Sequence, residues 1–216
     1  MLNVKRCLVV GLLGMVALPG LANPVRDLVV AAQMDNPNTV RKLLASGLSA
    51  NTIDPVSGEP VILVALREGS NQVVDVLLAD KQLDTERKAP NGNTALMMAA
   101  FRHNKPAVLA LLARGAAVNR AGWSALHYAA ASGDTAIAAI LLEHGAAIDA
   151  LAPSDLTPLM MAAREGQQAV AEQLLRAGAN AGLRNGENLT ASELATRADK
   201  PSVAAAITKF QTRKVQ

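Results

Sequence analysis

Few residues of this 216-residue chain have side chains that could perform catalytic or metal chemistry. The chain has one cysteine, Cys7, and three histidines, His103, His127 and His144. None of the histidines is grouped with a cysteine or a carboxylate at the spacing that metal sites use. The sequence also lacks a nucleophile elbow, a phosphate-binding glycine loop and a pair of carboxylates beside a plausible cleft. It therefore predicts a protein that is not an enzyme and has no cofactor and no metal site.

Two methionine pairs, Met97-Met98 and Met160-Met161, are the other candidates for chemistry. Thioether sulfur is a soft ligand for copper and is easily oxidised, so one interpretation is a metal-binding or oxidation-sensitive patch. The other interpretation is packing, because methionine fills irregular gaps in hydrophobic cores. The two pairs occupy matching positions of a repeat described below, which favours packing.

The first 22 residues have the pattern of a secretory signal peptide. Lys5 and Arg6 form a short positive segment, an apolar run covers 8–18, and small residues flank Leu21 where a signal peptidase reads the chain. We expect cleavage after Ala22 and export, most simply to the bacterial periplasm. An uncleaved membrane anchor is the alternative, but the run is far shorter than the ~20 residues that span a bilayer. Cys7 lies at the start of the run and not after it, which argues against a lipoprotein.

The charge balance of the exported chain argues against nucleic-acid binding. Cleavage removes Lys5 and Arg6 from the 21 basic residues and none of the 18 acidic ones, leaving a formal net charge of +1. Nucleic-acid binders usually cluster Lys and Arg on one face, whereas the charges here are mixed. Cleavage also removes the cysteine, so we expect no disulfide. No later apolar segment is long enough to insert into a membrane.

The positions of the repeated dipeptide Leu-Leu indicate how the chain folds. The pairs are separated by steps of 34, 34, 30 and 33 residues, and they stand at Leu43-Leu44, Leu77-Leu78, Leu111-Leu112, Leu141-Leu142 and Leu174-Leu175. A fixed period in this range is typical of stacked supersecondary units.

One repeat can be interpreted residue by residue. Thr157 is suited to cap a helix, and Pro158 suits its first position, where no amide proton is needed. Gly166 can end that helix in a left-handed turn. A second helix then buries Val170 and the leucine pair before Gly178.

The segments 157–180 and 124–146 resemble the ankyrin repeat, through Thr-Pro-Leu or Ser-Ala-Leu-His, an Ala-Ala pair, a glycine, Leu-Leu and Gly-Ala. The resemblance extends from Val25 to about Ile207. It implies an all-α ankyrin-repeat solenoid of about six stacked helix-turn-helix units with short β-turn fingers. We expect a signal peptide over 1–22 and one domain over 23–216, with units at about 24–51 (a cap), 52–84, 85–119, 120–149, 150–181 and 182–213 (a cap).

Two units depart from the repeat pattern. Asn119 to Ser124 is three residues shorter than the matching step from Asp149 to Thr157, so we expect a shortened finger between units three and four. The second unit has no Gly-Ala after its leucine pair, which leaves the end of its second helix uncertain.

The resemblance also implies which side chains are exposed for binding: the residue before each Thr-Pro-Leu start, and the two after each Ala-Ala pair. The slots are Glu59, Arg67, Glu68, Asn93, Phe101, Arg102, Trp123, Ala131, Ser132, Leu156, Arg164, Glu165, Leu189 and Arg197. Nine of these are our protein-binding residues: Trp123, Phe101, Arg102, Asn93, Arg67, Glu68, Leu156, Arg164 and Glu165. Trp123 and Phe101 would be anchors, since tryptophan is enriched in binding hot spots. The alternative is that both cover adjacent units and serve packing.

The resemblance implies that His127 is structural and hydrogen-bonds backbone between neighbouring units. We interpret His103, in a slot normally held by glycine, and His144 as cations favourable at helix C-termini.

We therefore expect a non-enzymatic scaffold or adaptor that binds a protein partner through its concave face and fingers as a monomer. We expect it neither to bind nucleic acid nor to insert into a membrane after signal cleavage. Similar exported bacterial proteins suggest an accessory role beside a partner enzyme, with protection against oxidative stress as one hypothesis. The alternatives are a secreted effector that engages host proteins and a methionine-based metal carrier.

Overall fold

The computed structural model describes residues 23–214. The predicted signal peptide, with its cleavage after Ala22, lies outside the described residues. The described chain contains twelve α-helices, a single-turn 3-10 helix at Pro153–Asp155, and two isolated β-bridges, Ile53 with Pro60 and Ala152 with Leu156.

The helices follow one another in six pairs separated by longer connections. The bounds are α1 Pro24–Gln33, α2 Pro37–Ala45, α3 Val61–Glu68, α4 Asn71–Ala79, α5 Ala95–Phe101, α6 Lys105–Ala113, α7 Ala125–Ser132, α8 Thr135–Glu143, α9 Pro158–Glu165, α10 Gln168–Arg176, α11 Ala191–Arg197 and α12 Pro201–Lys214.

The pairs stack into two layers. Each first helix packs on the first helix of the next pair, from α1 through α11, and the second helices form a parallel series from α2 through α12. Every unit therefore contacts mainly its neighbours, as expected of a solenoid. This arrangement confirms the predicted all-α repeat fold.

The leucine pairs supply the centre of the hydrophobic core. The first leucine of each pair is fully buried, at Leu43, Leu77, Leu111, Leu141 and Leu174, whereas the second ranges from buried to half-buried. One continuous cluster of buried residues extends from Leu28 in α1 to Ile207 in α12. The period of the sequence is therefore the period of core packing.

The ends of α9 form as the sequence predicts. The Thr157 side chain accepts a hydrogen bond from the backbone amide of Met160 at 3.2 Å, and Pro158 begins the helix. Gly166 follows in the left-handed region with φ +79°, where other residues are strained. His103 takes the matching position in unit three with φ +56°.

The shortened finger is also confirmed. The connection between α6 and α7 covers 114–124, whereas those before α5 and α9 cover 80–94 and 144–157. The missing residues come from the segment that forms the finger, because α6 and α7 are as long as α8 and α9.

An arginine from unit three supports the end of α4, where the Gly-Ala signal is missing. Asp80 leaves the helix in an extended conformation (φ −72°, ψ +118°) and not in a left-handed turn. The half-buried guanidinium of Arg114 donates hydrogen bonds to the carbonyl oxygens of Leu78, Asp80 and Leu83 at 3.0, 2.9 and 3.1 Å. The Leu78 carbonyl belongs to the last turn of α4, where backbone carbonyls have no partner within the helix, so Arg114 satisfies one such group directly.

We expect Arg114→Met to lower the free energy of unfolding by about 2 kcal/mol, because three carbonyls would lose a charged donor. Urea unfolding followed by circular dichroism measures the loss. Arg176→Met is the matched control, since Arg176 is largely exposed and, within the described part of the chain, forms an ion pair only with Glu172 on its own helix. Equal, small losses in the two variants would contradict a supporting role for Arg114.

Candidate functional site

Three of the four aromatic side chains in the protein meet on the face formed by the first helices. The ring of Tyr128 lies edge-on to Phe101, with centroids 6.0 Å apart, and 6.1 Å from the ring of Trp123. Trp123 also contacts His127 edge-on at 5.5 Å. The remaining aromatic residue, Phe210, lies on α12. In a chain with 2% aromatic residues, this clustering is the main departure from an ordinary repeat surface.

Different elements deliver the three rings. Phe101 is the last residue of α5, Tyr128 lies in the middle of α7, and Trp123 precedes Ser124, the residue that caps α7. Phe101 is 44% exposed, and the other two rings are half-buried. The Tyr128 hydroxyl donates a 2.6 Å hydrogen bond to Asn93 Oδ1 in the preceding unit. Burial raises the pKa of Tyr128, so the hydroxyl remains a neutral donor.

The rings border a cavity of about 740 Å³, which we call the aromatic pocket. Its lining residues are Phe101, Arg102, His103, Trp123, His127, Tyr128, Ala131, Ser132, Met161, Arg164 and Glu165. They come from units three, four and five.

The pocket exists because unit four has small residues where its neighbours have large ones. At the two positions after the Ala-Ala pair, unit three has Phe101-Arg102 and unit five has Arg164-Glu165. Unit four has Ala131 and Ser132 in those positions. The flanking side chains therefore form two walls, and the two small residues leave a gap between them.

The charged groups at the pocket are mostly compensated. Arg164 Nε donates to Glu165 at 3.0 Å, and His103 Nδ1 lies 3.0 Å from Asp134 Oδ2. Arg102 is exposed and forms no ion pair with any residue in the described part of the chain. The pocket thus combines apolar rings with one uncompensated positive charge.

The structure brings five of the nine predicted binding residues together at the pocket: Phe101, Arg102, Trp123, Arg164 and Glu165. Arg67 and Glu68 are exposed on unit two, outside its lining. There Arg67 forms ion pairs with both Glu59 and Glu68.

The predicted exposure is wrong for Asn93 and overstated for Leu156. Asn93 is 8% exposed, because its side chain turns toward unit four and accepts the Tyr128 hydroxyl. Leu156 is half-buried against the core, and its carbonyl accepts a hydrogen bond from His127. In these two cases, the residue before the helix cap therefore forms a contact between units.

Tyr128 and Met161 line the pocket but were not among the predicted binding residues. Both stand two residues after the first leucine of the first helix, at the position that Met98 holds in unit three. The presence of an aromatic residue at this shared position was the available signal. Met97, Met160 and Met161 are buried, and the half-buried Met98 packs against the core, so the structure favours the packing interpretation of the methionine pairs.

His127 joins two units, as the resemblance implied. It is fully buried, and its Nε2 lies 3.1 Å from the Ala150 carbonyl and 3.0 Å from that of Leu156. Its Nδ1 accepts a hydrogen bond from the backbone N–H of Ser124 at 3.2 Å. This pattern assigns the proton to Nε2 of a neutral ring, since Nδ1 must accept.

Acidification should weaken the fold through His127. Burial is the main cause that lowers the pKa of His127 below 6.5, so the unfolded chain binds this proton more readily than the folded chain. The stabilising contribution of neutral His127 is therefore present above about pH 6.5 and is lost as the pH falls below that value. Urea unfolding at pH 7.5, 6.5 and 5.5 measures the trend. His127→Asn should reduce this part of the pH dependence, whereas His144→Asn, which changes an exposed histidine, should leave it.

One family model, described as ankyrin repeats (3 copies), matches residues 28–121 and 117–185. The chain belongs to the ankyrin-repeat family. Among solved structures, the ankyrin repeat domain of Bcl-3, a member of the IkappaB protein family, is 28% identical with a TM-score of 0.66. That match covers 82% of this chain and 81% of the other.

A second solved structure is a complex of Bd0816, a predatory endopeptidase from Bdellovibrio bacteriovorus, with immunity protein Bd3460. One chain of it is 26% identical to this ankyrin protein with a TM-score of 0.73, covering 85% of this chain and 97% of that one.

Curated relatives match this chain over part of its length. The RelA-associated inhibitor of Mus musculus is 40% identical over 98 residues, which is 44% of this chain and 12% of the relative. The Neurogenic locus notch homolog protein 1 of Xenopus tropicalis is 33% identical over 136 residues, which is 62% of this chain and 5% of the relative. The chain thus spans a small fraction of these relatives. Among its described helices, none has the length and apolar character needed to cross a membrane.

Proposed function

We propose that this ankyrin protein is a non-enzymatic scaffold that binds a protein partner in the periplasm, with the aromatic pocket as the centre of the interface. The observation that carries the proposal is the convergence of Phe101, Trp123 and Tyr128 around a gap made by small residues. Tryptophan, tyrosine and arginine are the residues most enriched in binding hot spots, and all three types line this pocket.

The geometry of the aromatic pocket supports this proposal, because the pocket is already formed before a partner binds. The aromatic rings are held by contacts with one another and by the hydrogen bond from Tyr128 to Asn93. Binding would therefore cost this protein little conformational entropy, because its surface is already ordered. A small entropy loss favours affinity.

The comparisons support protein binding, because one similar chain comes from a complex of an endopeptidase with an immunity protein. By analogy, we infer that a partner enzyme is a reasonable class of target for this protein. The periplasmic location rests on the signal-peptide pattern of residues 1–22. We propose a monomeric binder, without nucleic acid as a partner.

The test compares capture of partners from periplasmic extract by the wild type and by a Phe101→Ala, Trp123→Ala double variant. We expect the double variant to bind at least about thirtyfold more weakly, the effect of losing a single strong hot spot. Leu109→Ala is the matched control, since Leu109 and Phe101 are both 44% exposed, but Leu109 lies on a second helix.

Equal capture by the wild type and the double variant would place the interface on the fingers or on the second-helix face. Fractionation of the producing cells tests location separately. Recovery of the protein from culture supernatant, and not from periplasmic extract, would favour the alternative of a secreted effector.

A further inference from the structure

Arg102 differs from the other arginines near the same face in having no carboxylate partner. Arg67 pairs with Glu59 and Glu68, Arg164 pairs with Glu165, and Arg197 pairs with Glu187. For Arg102, no carboxylate among residues 23–214 lies within ion-pair distance.

The repeat pattern explains why Arg102 has no carboxylate partner. Units two and five have Arg-Glu after the alanine-containing turn of the first helix, so each arginine meets a glutamate next to it. Unit three has Phe101-Arg102 in the same two positions. An aromatic ring thus replaces the arginine, and an arginine replaces the glutamate, which reverses the charge at the second position.

The neighbours of Arg102 do not compensate for the change. His103 directs its Nδ1 to Asp134, and Glu165 on the opposite wall is held by Arg164. The edge of the aromatic pocket therefore has a positive charge beside the apolar surface of Phe101.

We infer that the pocket binds a protein loop that presents an apolar side chain next to an aspartate or glutamate. The apolar side chain would lie against Phe101, Trp123 and Tyr128, and the carboxylate would bind the guanidinium of Arg102. This inference rests on the proposed function and adds the chemistry of the partner to it.

The physical case is charge complementarity beside an apolar site. A guanidinium offers two parallel donors that match the two oxygens of a carboxylate. A charged hydrogen bond also gains strength when an adjacent apolar contact excludes water. A basic loop would instead place its cation beside the unpaired Arg102, so like charges would oppose binding.

The experiment selects disulfide-constrained random loop peptides on the wild type and on Arg102→Gln in parallel. Both proteins are expressed with their own leader and purified as the cell processes them. The best peptide is synthesised without tryptophan, so that Trp123, the only tryptophan in the chain, reports occupancy by its fluorescence. Arg176→Gln is the control, because it removes the same charge from an exposed position outside the pocket.

We expect wild-type selections to enrich Asp or Glu next to an aromatic or branched apolar residue, and selections on Arg102→Gln to lack that enrichment. Changing the peptide's Glu to Gln should weaken binding at least about tenfold. Arg102→Gln should cause a similar loss, and the combined changes should cost no more than one alone.

The possible failures separate the two proposals. Pocket-binding peptides that are neutral or basic would overturn the acidic-loop inference and leave the pocket as a protein-binding site. Peptides that bind the Phe101→Ala, Trp123→Ala double variant as tightly as the wild type would overturn the site itself; calorimetry measures this comparison, because the double variant lacks the Trp123 reporter. A wild-type dimer in sedimentation that Arg102→Gln dissociates would show that the occupant is a second copy, which would also overturn the inference.

Discussion

Leu141→Ala is expected to lower the free energy of unfolding by about 2–5 kcal/mol, the range for a leucine removed from a packed core. Leu141 is fully buried on α8, where it is the first leucine of its pair. The truncation removes apolar contacts and leaves a cavity that the rigid stack can only partly close. Urea unfolding followed by circular dichroism measures the difference between variant and wild type.

Leu109→Ala is the control, because the same atoms are removed from a side chain that is 44% exposed on α6. We expect it to cost well under half as much. Because each unit is stabilised mainly by its neighbours, the loss at Leu141 should also broaden the unfolding transition or divide it. A Leu141→Ala variant as stable as Leu109→Ala would show that the assigned register of the repeat is wrong.

The sequence predicted the features that depend on local spacing. The leucine pairs identify the core because their period is the period of the units, and all five first leucines are buried. Thr157, Pro158 and Gly166 specify the ends of α9 through capping, a missing amide proton and a left-handed turn, which are properties of single residues. Even the shortened finger followed from counting residues between Asn119 and Ser124.

Apart from the His127 contact that the resemblance implied, the contacts between units were not predicted from the sequence. Arg114 binds carbonyls 31 to 36 residues earlier in the chain, and Tyr128 binds Asn93, 35 residues earlier. A repeat pattern gives the position of each residue within its unit, but the direction of a long side chain depends on what the next unit leaves open. For this reason Asn93 was predicted to be exposed, although its side-chain oxygen accepts a hydrogen bond from the Tyr128 hydroxyl.

The aromatic pocket also depends on comparison between units. Ala131 and Ser132 were predicted to be exposed and are half-buried. An alanine or serine at such a position carries no signal of its own. The gap follows only when the larger residues in the same positions of units three and five are placed on either side. The residues that form the two walls were predicted from the sequence. The cavity between them could be found only once the units were stacked in the structure.

Ala131→Phe is expected to weaken binding of the partner about a hundredfold, because it fills the gap between the walls and excludes any inserted side chain. The variant adds a ring and removes no existing contact of Phe101, Trp123 or Tyr128. Unit three already has Phe101 at the matching position at the end of α5, so this slot accepts a ring without changing the helix. Thermal unfolding of the variant should therefore match that of the wild type.

The control, Leu109→Phe, enlarges an exposed side chain on a second helix and should leave binding unchanged. Titrations of both variants with the captured partner, or with a selected loop peptide, measure the difference. Removal of the anchors can weaken binding by loosening the surface, whereas filling the gap leaves every anchor in place. A loss on Ala131→Phe with an unchanged melting temperature would therefore require that the partner occupies the pocket, and full binding would place the interface elsewhere on the stack.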